Sequence, residues 1–287
     1  MRLPARRLIV TADDFGRDIA ANDAVEQAHR DGILSSASLM VGAPAAADAV
    51  ARARRLGTLR VGLHLVLIDG APSLPPDQLG SLVRRDGRFD DNPLRAGLRF
   101  FFQPGARRRL AAEIRAQFEG FHATGLALDH VNAHKHMHLH PTVARLLVEI
   151  GRDYGMRAVR LPAEPRAPLR RAFPGEPLPL PPPAFAVAAL RHRLHRACLA
   201  CNDHVFGIAW SGAMTEDRIV ALLPHLPEGV SEIYFHPAAE TTPALRGAMP
   251  GYRPTEELAA LVSPRVRHRI EELGIRRIRF ADVAVAR

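Results

Sequence analysis

Apolar residues recur along the chain in two rhythms. Short continuous runs rich in Val, Ile, Leu and Phe predict strands at residues 8–11, 37–41, 61–67, 127–131, 158–161, 205–210, 232–235 and 278–280. Between them the apolar spacing lengthens to that of amphipathic helices, at residues 22–31, 107–124, 141–154, 216–225 and 255–273. Strands alternating with helices build parallel βαβ units. Eight such strands predict an α/β fold, a distorted TIM-like (β/α) barrel, in preference to an open nucleotide-binding sheet. The absence of GxGxxG and P-loop motifs agrees with that choice. Two segments break the rhythm. Residues 84–109 carry Leu98, Phe100, Phe101 and Phe102 ahead of Arg107, Arg108 and Arg109, and residues 162–202 run from Pro181-Pro182-Pro183 into an apolar, basic stretch. Both are expected as insertions in one domain spanning residues 1–287.

Composition narrows the class. With 287 residues, 47% hydrophobic and 24% charged, the chain can bury a full core and is neither disordered nor fibrous. The apolar run after the basic start, residues 8–10, is too short for a signal-peptide core. No run approaches the roughly 20 apolar residues that span a bilayer. The expectation is a cytoplasmic protein, soluble or peripheral at the inner face of the cytoplasmic membrane. The net charge of +9 permits an anionic partner without requiring one, and no nucleic acid is expected. Among 39 basic residues Lys135 is the single lysine. Cys198 and Cys201 have CxxC spacing but lack the second pair of a structural zinc site, so they read as two small apolar residues on a helix.

The candidate chemistry is positional. Asp13 and Asp14 follow the first predicted strand, His64 lies in the third, His134 follows the fourth and His236 the seventh. In a parallel barrel the C-terminal strand ends share one face, where such residues converge. A carboxylate and two imidazoles can hold one divalent ion (zinc or magnesium first, manganese or nickel also suitable) and leave positions for water and substrate. Two adjacent aspartates ionise together only if a cation neutralises one, and the other can then take a proton from water. Residues 129–140 hold five histidines. In an extended run His134, His136 and His138 share a side; in a helix His134 and His138 do. Pro141 favours a helix starting there, so the run reads as a loop, with His134 and His138 both open as ligand. His130 and His140 read as solvated or helix-capping. Arg160, ending the fifth strand, is a candidate to orient the base carboxylate or bind substrate. His236, in Tyr234-Phe235-His236-Pro237, is a candidate general acid.

These pieces resemble the YdjC-like carbohydrate deacetylase family, which includes chitooligosaccharide deacetylases. The resemblance rests on Thr11-Ala12-Asp13-Asp14-Phe15-Gly16 with Asn22, Val61-Gly62-Leu63-His64-Leu65, Asn132-Ala133-His134-Lys135-His136-Met137-His138, Val159-Arg160-Leu161-Pro162 and Phe235-His236-Pro237. It implies Asp13 as base, Asp14, His64 and His134 as metal ligands, and hydrolysis of an N-acetylglucosamine-type sugar. Where the family usually has Asp-Ser before the first histidine of the cluster, this chain has Asn132-Ala133. Within the family it resembles the branch associated with hopanoid biosynthesis, implying an acetylglucosaminyl hopanoid substrate. The aromatic patch beside arginines and the apolar, basic stretch are the surfaces a peripheral enzyme would present to a bilayer. The alternatives are a chitooligosaccharide deacetylase without a lipid substrate, a barrel metallo-phosphoesterase, and a non-catalytic lipid-binding scaffold.

Overall fold

The computed structural model describes residues 6–285. Of the basic start, residues 1–5 lie outside the described ones, and the short apolar run at 8–10 expected to be no leader core is part of the first strand. Strand β1 (Arg6–Phe15) is buried along its length after two residues, because Leu8 and Val10 pack into the main core on one face and Ile9 packs with Ala158, Val230 and Phe280 on the other. Around it lie β2 (Ser36–Leu39), β3 (Arg60–Leu65), β4 (Leu128–Ala133), β5 (His204–Phe206), β6 (Gly229–Phe235) and β7 (Arg276–Arg277). The order is β4-β3-β2-β1-β6-β5, with β7 against β1, and every pair is parallel. The gap between the two outer strands is spanned by residues 158–163: Val131 of β4 bridges Val159, Ala158 bridges Ala200 ahead of β5, and Val205 N–H in β5 donates to Ala163 O. The expected distorted (β/α) barrel is therefore the observed fold, with a thin seam.

Several expected boundaries move. Residues 158–161 make bridges and no strand, since the chain leaves at once into the insertion beginning at Pro162. Residues 205–210 pair only as far as Phe206. The last predicted strand is displaced: β7 ends at Arg277 and Phe280 starts a helix, Phe280–Val285. The long helix expected at 255–273 is two, Pro254–Val262 and Pro264–Glu272, because Pro264 cannot donate to the preceding turn and Ser263 caps the second helix through Val266 N–H. A helix at Ala46–Leu56 went unpredicted. The insertions contain helices Pro93–Phe102, Arg166–Ala172 and Ala184–Arg196. Cys198 and Cys201 lie beyond the last of these helices, not on it.

Two glycines matter for the site. Gly16 (φ +93°) turns the chain out of β1, its N–H donating to Asn22 Oδ1 at 2.8 Å. Asn22 is itself held by Ala45 O and Asp48. At Gly62 in β3, a Cβ would stand 2.5 Å from the His130 ring. That ring is buried, bonded to Ser38 and Asp129 and stacked on Phe280. His130 is thus a core residue, not a solvated or capping one. His140 does occupy the residue before the helix Pro141–Asp153, but its side chain makes no cap bond.

Candidate active site

Register brings the residues together. His64 in β3 pairs with Asn132 in β4, and Ala12 in β1 with Phe235 in β6. His64 therefore lies at a strand C-terminal end like the others, one residue before Leu65 closes β3. Asp14 takes a left-handed conformation (φ 61°), which breaks the alternation of the strand, and both Asp13 and Asp14 line one pocket. After β4 the chain tightens into a short turn, His134–Leu139, where Lys135 and His136 are also left-handed. The expected open loop is thus a coiled one, and its histidines face three ways. His134 points to Asp14, His136 to the Tyr234 hydroxyl at 3.2 Å, and His138 to the Arg160 carbonyl at 2.9 Å.

Asp14, His64 and His134 converge, each offering one ligand atom within 4.8 Å of the others. Asp14 Oδ1 is 3.3 Å from His64 Nε2 and 3.5 Å from His134 Nδ1, and the two imidazole nitrogens are 3.3 Å apart. The protonation pattern follows from the neighbours. Asn132 must present its Nδ2 to the Asp13 carboxylate at 3.0 Å, so its Oδ1 faces His64 Nδ1 at 2.7 Å and accepts from it. His64 Nε2 then carries a lone pair aimed at the others. Asp14 Oδ1 is buried and has no hydrogen-bond partner. Buried acceptors facing one another are costly without a positive charge between them, so this donor set fits a divalent cation. Burial pushes the His64 imidazole down to about 4 despite the raising effect of Asp13 and Asp14, keeping it neutral and able to ligate. His138 is outside the group.

Asp13 is arranged differently. Its carboxylate accepts from both terminal nitrogens of Arg160, at 2.5 and 2.9 Å, as well as from Asn132. Burial alone would raise its pKa, but the Arg160 charge wins and holds the carboxyl well below the usual range. Arg160 is fully buried, and its other side pairs with Glu232 through Nε and Nη2 at 2.7–3.0 Å. The guanidinium also lies 4.5 Å over the Tyr234 ring. All the side-chain contacts of Arg160 are thus with Asp13, Glu232 and Tyr234. His236 lines the pocket, its ring 5.1 Å from that of Tyr252, and burial lowers its pKa. The pocket is about 460 Å³ and is walled by Asp13, Asp14, His64, His134, His236 and the two tyrosines, among others.

Residues 7–272 match the family described as YdjC-like protein. The chain belongs to this family. A carbohydrate deacetylase of Geobacillus stearothermophilus is 31% identical, over 96% of this chain and 98% of that one. A mouse carbohydrate deacetylase is 28% identical, over 99% of this chain and 96% of its own. The solved structure of a candidate cellobiose-phosphate cleavage protein from Enterococcus faecalis superposes with a TM-score of 0.76 at 23% identity, covering 97% of this chain and 99% of that one. At that identity the likeness concerns the fold.

Three functional neighbours in this YdjC-like chain went unrecognised in its sequence. Asn132 links Asp13 to His64. Glu232 balances Arg160 from within a buried strand, and a lone carboxylate in such a run is itself the signal of a buried partner. Glu257 accepts the backbone N–H groups of Met214 and His236, fixing the loop that carries His236. Its position on an amphipathic helix gives no such signal.

Proposed function

We propose that this YdjC-like chain is a metal-dependent deacetylase that hydrolyses the acetamide of an N-acetylglucosamine-type sugar. The observation that carries the reading is the convergence of Asp14, His64 and His134 beside an Arg160-held Asp13. The relatives named carbohydrate deacetylases, matched over nearly the whole chain, support it.

Asp14, His64 and His134 would hold the cation. Two imidazoles and one carboxylate favour zinc, nickel or manganese over magnesium, which prefers oxygen ligands. When bound, the cation polarises the acetamide carbonyl and acidifies water. Asp13, ionised and oriented by Arg160 and Asn132, accepts the proton of the attacking water as its oxygen bonds to the carbonyl carbon. Held so acidic, it keeps that proton only briefly. His236 donates a proton to the nitrogen as the C–N bond breaks, giving acetate and a free amine. Its depressed pKa makes it a stronger acid, less populated at neutral pH.

The finer reading is a glycolipid, an acetylglucosaminyl hopanoid, met at a membrane surface. Leu94, Leu98, Phe101 and Phe102 are exposed on the insertion helix that also carries Arg95 and Arg99, and Phe185 is exposed on the second insertion. Among the described residues no helix is long and apolar enough to cross a membrane, so contact would be peripheral.

The test is acetate release from N-acetylglucosamine glycosides by protein stripped with a chelator and then restored with single metals. Asp13→Asn is expected to bind one ion per chain and lose turnover, and His64→Ala to lose both. Full activity in either variant would sink these roles, and two ions per chain with phosphate ester hydrolysis would favour the phosphoesterase alternative.

A further inference from the structure

Two tyrosines line the catalytic pocket, and their hydroxyls are in different states. That of Tyr252 is engaged with Ser211 Oγ at 2.7 Å. Tyr234, in β6 two residues ahead of His236, is 3% exposed, and among the described residues its hydroxyl meets one hydrogen-bonding group, His136 Nε2 at 3.2 Å.

The direction of that bond follows from the other ring nitrogen. His136 Nδ1 is buried and has no hydrogen-bond partner among the described residues. A proton placed there would be a buried donor without an acceptor, which folded proteins rarely tolerate. The proton therefore sits on Nε2 and is donated to the Tyr234 oxygen. The tyrosine's own proton is left without an acceptor among the described residues, on the wall of the pocket. Burial raises the phenol well above its ordinary pKa, so that proton stays in place at neutral pH.

The ring is held from several sides. The Arg160 guanidinium lies 4.5 Å over its centroid, and the His136 and His236 rings stand edge-on with centroids at 5.6 Å. A Cβ at Gly207 (φ +122°) would come 3.0 Å from Cε1. Two of these neighbours serve the acetamide in the proposed reaction: Arg160 holds Asp13, and His236 gives its proton to the nitrogen. A donor fixed between them is preorganised for the charge that develops on the acetamide oxygen.

We propose that the Tyr234 hydroxyl is a catalytic donor, hydrogen-bonding the acetamide oxygen more strongly as water adds to the carbonyl carbon and the oxygen becomes anionic. The proton remains on Tyr234, and the oxygen returns to a carboxylate oxygen of acetate when the C–N bond breaks. His136 is a positioning residue: its Nε2–H fills the acceptor side of the tyrosine and so aims the O–H into the pocket. The assignment rests on the deacetylase reading of the same pocket.

Tyr234→Phe deletes the hydroxyl and keeps the ring over Arg160. In the metal-restored full chain it is expected to lower kcat for the methyl β-glycoside of N-acetylglucosamine by about 100-fold or more, with KM within about twofold and one ion per chain. The N-trifluoroacetyl analogue, whose oxyanion is already stabilised by fluorine, is expected to lose about tenfold or less. That comparison is made within one protein, so it decides even if the variant is less stable or less fully loaded. His136→Ala is expected to lower kcat by about tenfold in the natural chain and by about twofold or less beside Tyr234→Phe. A natural kcat in Tyr234→Phe, a loss confined to KM, or an equal loss for both acyl groups overturns the catalytic role, and a His136→Ala effect undiminished beside Tyr234→Phe overturns the positioning role. Methylphosphonate, a tetrahedral anion, is titrated calorimetrically against the metal-loaded natural chain and Tyr234→Phe, with affinity expected to fall by about tenfold or more in the variant. If no glycoside yields acetate, the deacetylase reading fails; that fall in affinity then still supports the donor, and equal affinity or no binding overturns it.

Discussion

Arg160→Met removes the one cation between two buried carboxylates. Asp13 and Glu232 are 4% and 0% exposed, and Arg160 supplies two of the three hydrogen bonds to Asp13 and all three to Glu232. Methionine fills much of the volume, so the cavity contribution is small and the cost is that of uncompensated buried charge, about 3–5 kcal/mol. For a chain of this size that lowers Tm by about 5–8 °C. The sign with pH is determined as well. Without the guanidinium, burial raises both carboxyls above their unfolded values, so the variant binds protons on folding and its deficit shrinks as pH falls. Melting curves of both proteins from pH 8 to pH 5 are the assay, with acetate release alongside. Adding Glu232→Leu to the variant should recover part of the lost stability and none of the activity, since Asp13 would still lack its orienting fork. A Tm drop below about 2 °C, or a deficit that does not change with pH, would refute the claim that Arg160 is held by charge.

Asn132→Leu leaves His64 Nδ1 without its acceptor and should weaken metal affinity by about 10–100-fold, read by competition with a chelating dye; unchanged affinity would show that Asn132 does not set the His64 tautomer. Glu257, whose carboxyl burial pushes from 4.5 to about 7, keeps its proton in the folded state where the unfolded chain has lost it. Stability contributed by this group therefore falls as pH rises from 4.5 towards 7, by about 3 kcal/mol at most. Glu257→Gln should remove that slope, although its amide opposes one of the two backbone donors at a cost of about 1–3 kcal/mol. The difference between the two Tm-against-pH curves is the measurement, and parallel curves would contradict it. Gly62→Ala drives a methyl against the His130 ring and should lower Tm or prevent soluble expression, whereas an unchanged melt would mean that β3 has room the structure does not show.

What could be read in the sequence was whatever depends on period and spacing. The continuous apolar run of β1 ending in Asp13 and Asp14 marks both a central parallel strand and its functional end, and the histidine cluster after β4 marks the other wall. What could not be read depends on where pairing stops. The apolar run through His64 continues to Ile68, which hid the strand end at Leu65 and made His64 look internal. The run at 158–161 has strand composition, yet only bridges form there. The choice between His134 and His138 was undecidable from spacing, because two consecutive left-handed residues, Lys135 and His136, redirect the side chains in a way neither a strand nor a helix would. The splitting of the helix near the C-terminus is encoded in Ser263-Pro264, a cap followed by a residue that cannot continue the preceding turn.

The left-handed residues have one more consequence. Of the five non-glycine residues with positive φ among the described residues, four (Asp14, Asp69, Lys135 and His136) line the catalytic pocket. Each such residue costs on the order of 1 kcal/mol that a glycine would not. The pocket is therefore the place where this barrel gives up thermodynamic optimality for side-chain placement. A search for thermostable variants will be drawn to glycine at these positions and will there select against the chemistry, so stabilisation without loss of function has to be sought at the seam and the insertions instead.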